Sequence, residues 1–192
     1  MKNPSDSRIP DSFVRDELLR EAFSWLKTIL LAMIFTVVVT RTIIINAQVP
    51  SPSMENTIMT YDRLIVFRLA YLFSEPRVYD IVVFQMPHME DAQIKRIMGA
   101  PGDVVEILNG RVYINDSPAR SDFVRGDDTS SFGPLAIPEG HFFVLGDFRT
   151  NSTDSRHWND PLLPRRYIMG RAIFRYFPGF ARFSRLSGKS SR

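Results

Sequence analysis

From Thr28 to Thr40 the chain carries no charged side chain, and this 13-residue stretch constrains the fold more than any other feature. An apolar run has to be buried, in protein or in lipid. A membrane-spanning helix needs about 20 residues. Counting back to Ala22 reaches that length, with Lys27 lifting its ammonium to the interface along its own methylenes. Trp25 beside Lys27 suits the same interfacial position. A buried core helix would share this composition, but no later segment reads as a helical partner for it. We therefore expect a transmembrane anchor over residues 22–45, interrupted by Arg41 and resumed by Thr42-Ile43-Ile44-Ile45. No small-residue cleavage site follows, so the anchor reads as retained. Lys2, Arg8, Arg15, Arg20 and Lys27 favour an N-terminus on the inside. Residues 1–21 are a polar leader, mobile or loosely helical.

Beyond the anchor the pattern changes to strands. Arg63-Leu64-Ile65-Val66-Phe67, Asp80-Ile81-Val82-Val83-Phe84, His141-Phe142-Phe143-Val144-Leu145 and Tyr167 to Tyr176 are rich in β-branched and aromatic residues. Val104 to Leu108 and Arg111 to Asn115 flank Asn109-Gly110, the dipeptide of a type I′ hairpin turn. Residues 116–138 are polar and turn-rich. The expectation is an all-β domain of many short antiparallel strands over residues 46–180. A hairpin excursion at about 104–138 and a basic tail at 181–192 complete it.

Charge and cysteine content narrow the chemistry. The chain has no cysteine, which excludes disulfide frameworks, thiolate metal sites and cysteine nucleophiles. Residues 161–192 hold eight Lys or Arg and no acid, so with a total of +3 the first 160 residues sum to −5. In the tail, Arg182, Arg185, Lys189 and Arg192 interleave with Phe180, Phe183 and Leu186; membrane lipid is one expected contact, and a disordered tail fits as well. Of 24 basic residues only four are lysines, and Lys95 alone lies in the body of the protein. Lysine can lose its proton when buried, whereas arginine keeps its charge.

Three clusters hold reactive side chains. Pro50-Ser51-Pro52-Ser53 is stiff, because each proline fixes its own φ and restricts the residue before it; a plain Ser/Pro linker would read the same way. Lys95-Arg96 interrupts the apolar Ile94 and Ile97, and neighbours in a strand face opposite ways. One of the two then points inward and the other out. An inward lysine without a carboxylate has a depressed pKa and can act as a base; an edge lysine in water is the alternative. Gly146-Asp147 through Arg156 is dense in hydrogen-bonding groups, as in a supporting network or a solvated turn.

Together and in this order the clusters resemble the type I (leader) signal peptidases, the membrane-bound serine–lysine proteases of bacteria. The resemblance runs from about Ala22 to Phe177. It rests on Pro50-Ser51-Pro52-Ser53-Met54, Asp62-Arg63 through Tyr71, Lys95-Arg96 with Pro101-Gly102-Asp103, Pro138-Glu139-Gly140-His141-Phe142, and Gly146-Asp147 through Arg156. It implies Ser53 as nucleophile and Lys95 as general base. Ser51 matches the hydroxyl that helps the Ser53 amide hold the oxyanion, and Ser152 the hydroxyl that orients the lysine. Asp154 with Arg156, and Asp147 with Arg96, match supporting charged pairs. Met54, Ile58 and Ile94 match positions near small substrate pockets. The sequence departs from the family at Asn56, where proline is common, at Phe148, where asparagine is usual, and over Trp158-Asn159-Asp160-Pro161.

The implied enzyme removes signal peptides from exported preproteins through an acyl-enzyme, without a cofactor. Its substrates would have small residues at −1 and −3 and add as an extended strand to a sheet edge. A protease dedicated to a narrow client, such as a pilus or conjugation protein, is the alternative. The implied location is the bacterial cytoplasmic membrane, single-pass, with the catalytic domain on the periplasmic or outer side. His88, His141 and His157 have no expected role, there is no HExxH motif, and no nucleic acid partner is expected.

Overall fold

A computed structural model describes residues 11–183, with side chains from Glu17 onward. Residues 1–10 of the leader and the tail positions Arg185, Leu186, Lys189 and Arg192 lie outside the described residues. The chain divides into two compact units, one up to Thr42 and one from Ile43.

The first unit is a single helix, α1 (Asp11–Val38), followed by a wider turn over Val39–Ile43. The helix starts well inside the segment read as a leader. It is apolar around its circumference: Phe23, Trp25, Ile29, Leu31, Met33 and Phe35 are all exposed. Thr28, Thr36, Thr40 and Thr42 each donate a hydroxyl hydrogen bond to the carbonyl four residues earlier. Their polarity is thus satisfied within the segment, as an apolar surrounding demands. By length and composition this helix can cross a membrane.

Ile44 and Ile45, counted on sequence with the anchor, instead open strand β1 (Ile44–Gln48) of the second unit. The strands that follow are β2 (Arg63–Phe67), β3 (Ile81–Phe84), β4 (Gln93–Gly99), β5 (Val104–Leu108) and β6 (Arg111–Ile114). Then come β7 (Ser117–Pro118), β8 (Phe132–Ala136), β9 (His141–Leu145), β10 (Leu163–Pro164), β11 (Ile168–Phe177) and β12 (Ala181–Arg182). One sheet runs in the order β1-β2-β11-β3-β4-β9-β10, with β12 added beside β11. A second, four-stranded sheet runs β7-β6-β5-β8. Every strand pairing is antiparallel, and the expected all-β class holds.

The second sheet grows from the β5–β6 hairpin. Asn109 and Gly110 have φ of 48° and 76°, the pair of positive angles a type I′ turn requires. In the large sheet β3 is central, and all four of its residues are buried. Ile81 and Val83 join a cluster with Met54, Ile58, Leu64, Val66 and Ala172. Val82 and Phe84 join another with Tyr71, Ile97, Phe142 and Leu163. A strand covered on both faces reads as an unbroken apolar run, which is why Ile81-Val82-Val83-Phe84 shows no alternation. The neighbouring β4 is covered in the same way from Ile94 to Gly99, and this places the two basic residues it carries.

Candidate active site

The segment after β1 is held by its ends. Val49 N–H donates to the Asp62 carbonyl at 3.0 Å, and Tyr61 N–H donates to the Val49 carbonyl at 2.8 Å. Ser51 is extended, as a residue before proline must be, and Pro52 opens a one-turn 3₁₀ helix over Pro52–Met54. Met54 and Ile58 drop into the core and fix the turn, leaving the Ser53 side chain nearly buried.

Lys95 reaches this serine from β4. Its Nζ donates to Ser53 Oγ at 2.8 Å, and Ser51 Oγ lies 3.3 Å from Ser53 Oγ. Lys95 is 1% exposed. Among the described residues no carboxylate lies within ion-pair distance of it. Burial pushes its pKa down from 10.5 to about 8; the more distant charges of Asp154 and Asp147 oppose that shift without cancelling it. The site therefore holds an amine that can be neutral near physiological pH, in hydrogen-bond contact with a serine hydroxyl.

Arg96 lies on the other face of β4, and here the sequence expectation needs correction. It does not point to solvent: it is 3% exposed. Its Nε and Nη2 donate to the two Asp147 oxygens at 2.8 and 2.6 Å, and Nη2 also donates to Thr57 Oγ1 at 3.1 Å. Phe123, from the loop between β7 and β8, covers the guanidinium with its ring centroid 4.1 Å away. The second face of β4 is closed by protein, so alternation puts both side chains inside.

A second buried network holds the segment after β9. Asp154 accepts from Arg156 Nε and Nη2 at 2.9 and 3.0 Å and from Gly146 N–H at 3.0 Å. Burial alone would raise the Asp154 pKa; the hydrogen bonds and charge of Arg156 outweigh it and hold the carboxyl low. Arg156 also donates to Asp128 and to the Arg149 carbonyl. Phe148 N–H donates to the Ser53 carbonyl at 3.1 Å, which ties this segment to the serine turn. Gly146 sits so close that a Cβ there would lie 2.6 Å from the Ser53 carbonyl oxygen, and closer still to the Ser152 hydroxyl.

The structure places four further residues expected at the site as follows. Ser152 Oγ is buried against Gly146, beside the Asp154 network, and makes no hydrogen bond to Lys95 Nζ in this structure. Met54 and Ile58 have no exposed surface, and Ile94 has little; all three belong to one core cluster. Sequence reading missed Thr57, Arg149, Gly146, Asp128, Glu55 and Arg125. Gly146 stands in the third cluster beside Asp147, but only the close approach to Ser53 reveals what its missing side chain does. Arg149 is buried and donates to the Gly146 carbonyl at 3.0 Å, a role nothing in its sequence neighbourhood signals.

Known proteins resemble this chain over most of its length. A model of the family described as signal peptidase, peptidase S26, matches residues 22–177. A signal peptidase I of Leptolyngbya laminosa is 39% identical over 162 residues, 80% of this chain and 78% of that one. A protein of Synechocystis named probable signal peptidase I-2 is 36% identical, over 81% of this chain and 74% of that one. The chloroplastic thylakoidal processing peptidase 1 of Arabidopsis thaliana is 38% identical, over 68% of this chain and 41% of that protein.

Proposed function

Since the chain belongs to the signal peptidase family S26, and is a serine endopeptidase that removes signal peptides, we propose that Ser53 and Lys95 carry its chemistry. The observation that supports this is the 2.8 Å contact between Lys95 Nζ and Ser53 Oγ in a buried site. A serine hydroxyl becomes a competent nucleophile when a positioned base takes its proton. The neutral Lys95 amine accepts that proton as Oγ attacks the scissile carbonyl. The carbonyl becomes a tetrahedral oxyanion, held by the Ser53 amide and the Ser51 hydroxyl, each donor contributing about 3 kcal/mol. Collapse breaks the C–N bond. The ammonium returns its proton to the leaving amine, which departs as the new N-terminus of the mature protein, and the acyl group stays on Ser53. A water then gives its proton to Lys95 and attacks the ester; the C–Oγ bond breaks, Ser53 takes that proton back from the Lys95 ammonium, and the signal peptide leaves with a new carboxyl terminus.

Arg96 with Asp147, and Asp154 with Arg156, act as supports that fix β4 and the segment after β9 around the dyad. The preferred substrates have small residues at −1 and −3. We assign residues 22–45 to a retained lipid-embedded anchor, residues 46–180 to the catalytic domain, and the catalytic side to the extracytoplasmic face of a bacterial cytoplasmic membrane. The relatives named signal peptidase I do not favour the narrow-client alternative.

The test is cleavage of a preprotein with Ala at −1 and −3 by detergent-solubilised protein. Ser53→Ala and Lys95→Arg are expected to bind substrate and leave it intact, since arginine cannot serve as a neutral base. Cleavage at the same bond by either variant overturns the assignment.

A further inference from the structure

We infer that Arg125, which lies in the loop between β7 and β8, is a positioning residue for the turn that carries Ser53. This rests on the reading of Ser53 as nucleophile and extends it to a residue 70 positions away from the turn.

The turn after Ser53 has backbone hydrogen bonds of its own, from Thr57 and Ile58 N–H to the Met54 carbonyl, and a residue of unusual conformation within it. Asn56 has φ of 100°, a conformation uncommon for a residue with a side chain and closed to proline, whose ring holds φ near −65°. Glu55 precedes it, and both oxygens of its carboxylate are engaged. Oε1 accepts from Thr60 Oγ1 at 3.0 Å, within the same turn. Oε2 accepts from Arg125 Nη1 at 2.7 Å. Arg125 therefore closes from outside a turn that proline would have stiffened from inside.

The same guanidinium lies 4.5 Å from the centroid of the Phe148 ring. Phe148 is the residue whose N–H holds the Ser53 carbonyl. The Arg125 backbone completes the arrangement. Its N–H donates to the Asp147 carbonyl and its carbonyl accepts from Arg149 N–H, both at 2.8 Å, which brackets Phe148 in a parallel bridge. One residue thus grips the serine turn twice, through Glu55 two residues after Ser53 and through the residue bonded to the Ser53 carbonyl. Asp147, within that bracket, holds Arg96, the neighbour of Lys95. The contacts set where Ser53 stands relative to Lys95. Two departures from the family pattern meet here: Asn56 has the φ that proline forbids, and Phe148 supplies the flat surface on which Arg125 lies.

The side chain of Arg125 is 48% exposed and that of Glu55 18%. A pair this open contributes little to stability, so a positioning role and a structural role predict different results. The experiment uses the full-length enzyme in detergent micelles with a synthetic preprotein. Arg125→Ala is expected to lower kcat on the order of tenfold with KM nearly unchanged, because sub-ångström misplacement of reacting groups is felt in the chemical step. Its melting temperature should match wild type. Glu55→Gln should lose activity similarly, and the double variant should be no worse than Arg125→Ala alone. Arg125→Lys, which keeps the charge but not the planar stack, should recover part of kcat. Wild-type kcat in Arg125→Ala overturns the inference, as do losses that add in the double variant or that follow a falling folded fraction. Ser53→Ala separates the two levels. If it is inactive while Arg125→Ala is unimpaired, only the inference fails; if it still cleaves, the nucleophile reading fails and takes the inference with it.

Discussion

Lys95, the proposed base, is also a burden on the fold. Its pKa falls from 10.5 in an ordinary setting to about 8 in the folded protein, through burial. Between those values the unfolded chain binds more protons than the folded one, so stability rises with pH across that window. Below pH 8 the full cost is present, about 3 kcal/mol at 1.36 kcal/mol per pH unit. Lys95→Met fills the same space without a charge. At pH 7 it should be inactive yet more stable than wild type by up to about 3 kcal/mol, with the difference closing as pH rises from 8 toward 10. Denaturant titrations of the two proteins across that range measure it. The rate should carry the same signature, with kcat/KM climbing through an apparent pKa near 8 as the amine becomes neutral. A constant stability difference across the range would mean that the lysine is not buried charged. At this scale the sequence was informative through scarcity: one lysine in a body full of arginines. The 2.8 Å approach of Ser53 is a fact of three dimensions, and only the resemblance paired the two residues in advance.

Strand β4 shows what an element contributes that a residue cannot. It carries a buried lysine on one face and a buried arginine on the other, and the arginine cannot be replaced alone without loss of stability. Arg96→Met would leave Asp147 buried without its partner, at an expected cost of about 3–5 kcal/mol. The double variant Arg96→Met/Asp147→Leu should recover most of that, since well-packed apolar residues substitute for a buried ion pair. Equal losses in the single and double variants, read from urea midpoints, would contradict this. Strands built from β-branched runs were legible: β2 and β9 fall on the residues read from sequence. The missed strands have identifiable reasons. β1 continues the apolar anchor without a break, so Ile44-Ile45 carried no boundary signal. β8 contains Gly133-Pro134, which argues against a strand except at an edge, and β8 is an edge strand of its sheet. The expectation that one of Lys95 and Arg96 faces out failed because alternation gives faces, not what covers them.

The whole molecule divides into an apolar helix and a β unit. The side of the membrane on which the β unit works is a separate matter, proposed from the basic residues near the helix start. The absence of cysteine makes it measurable. Phe73 is 94% exposed, so Phe73→Cys supplies a single accessible thiol. A membrane-impermeant maleimide should label it in intact cells. Labelling only after lysis would place the β unit inside.

The partners that build the site are far apart along the chain: 42 positions separate Ser53 from Lys95, 51 separate Arg96 from Asp147, and 70 separate Glu55 from Arg125. Local folding supplies none of these pairs, and long-range closure has to come first. A chain still emerging from its ribosome has the serine, and soon the lysine, but lacks the Phe148 amide that seats the serine backbone. The serine turn of such a protease is therefore fully seated only after the segment following β9 has been made. A copy that stops before Phe148 lacks the contact that holds the Ser53 carbonyl, whatever else of the sheet it has built.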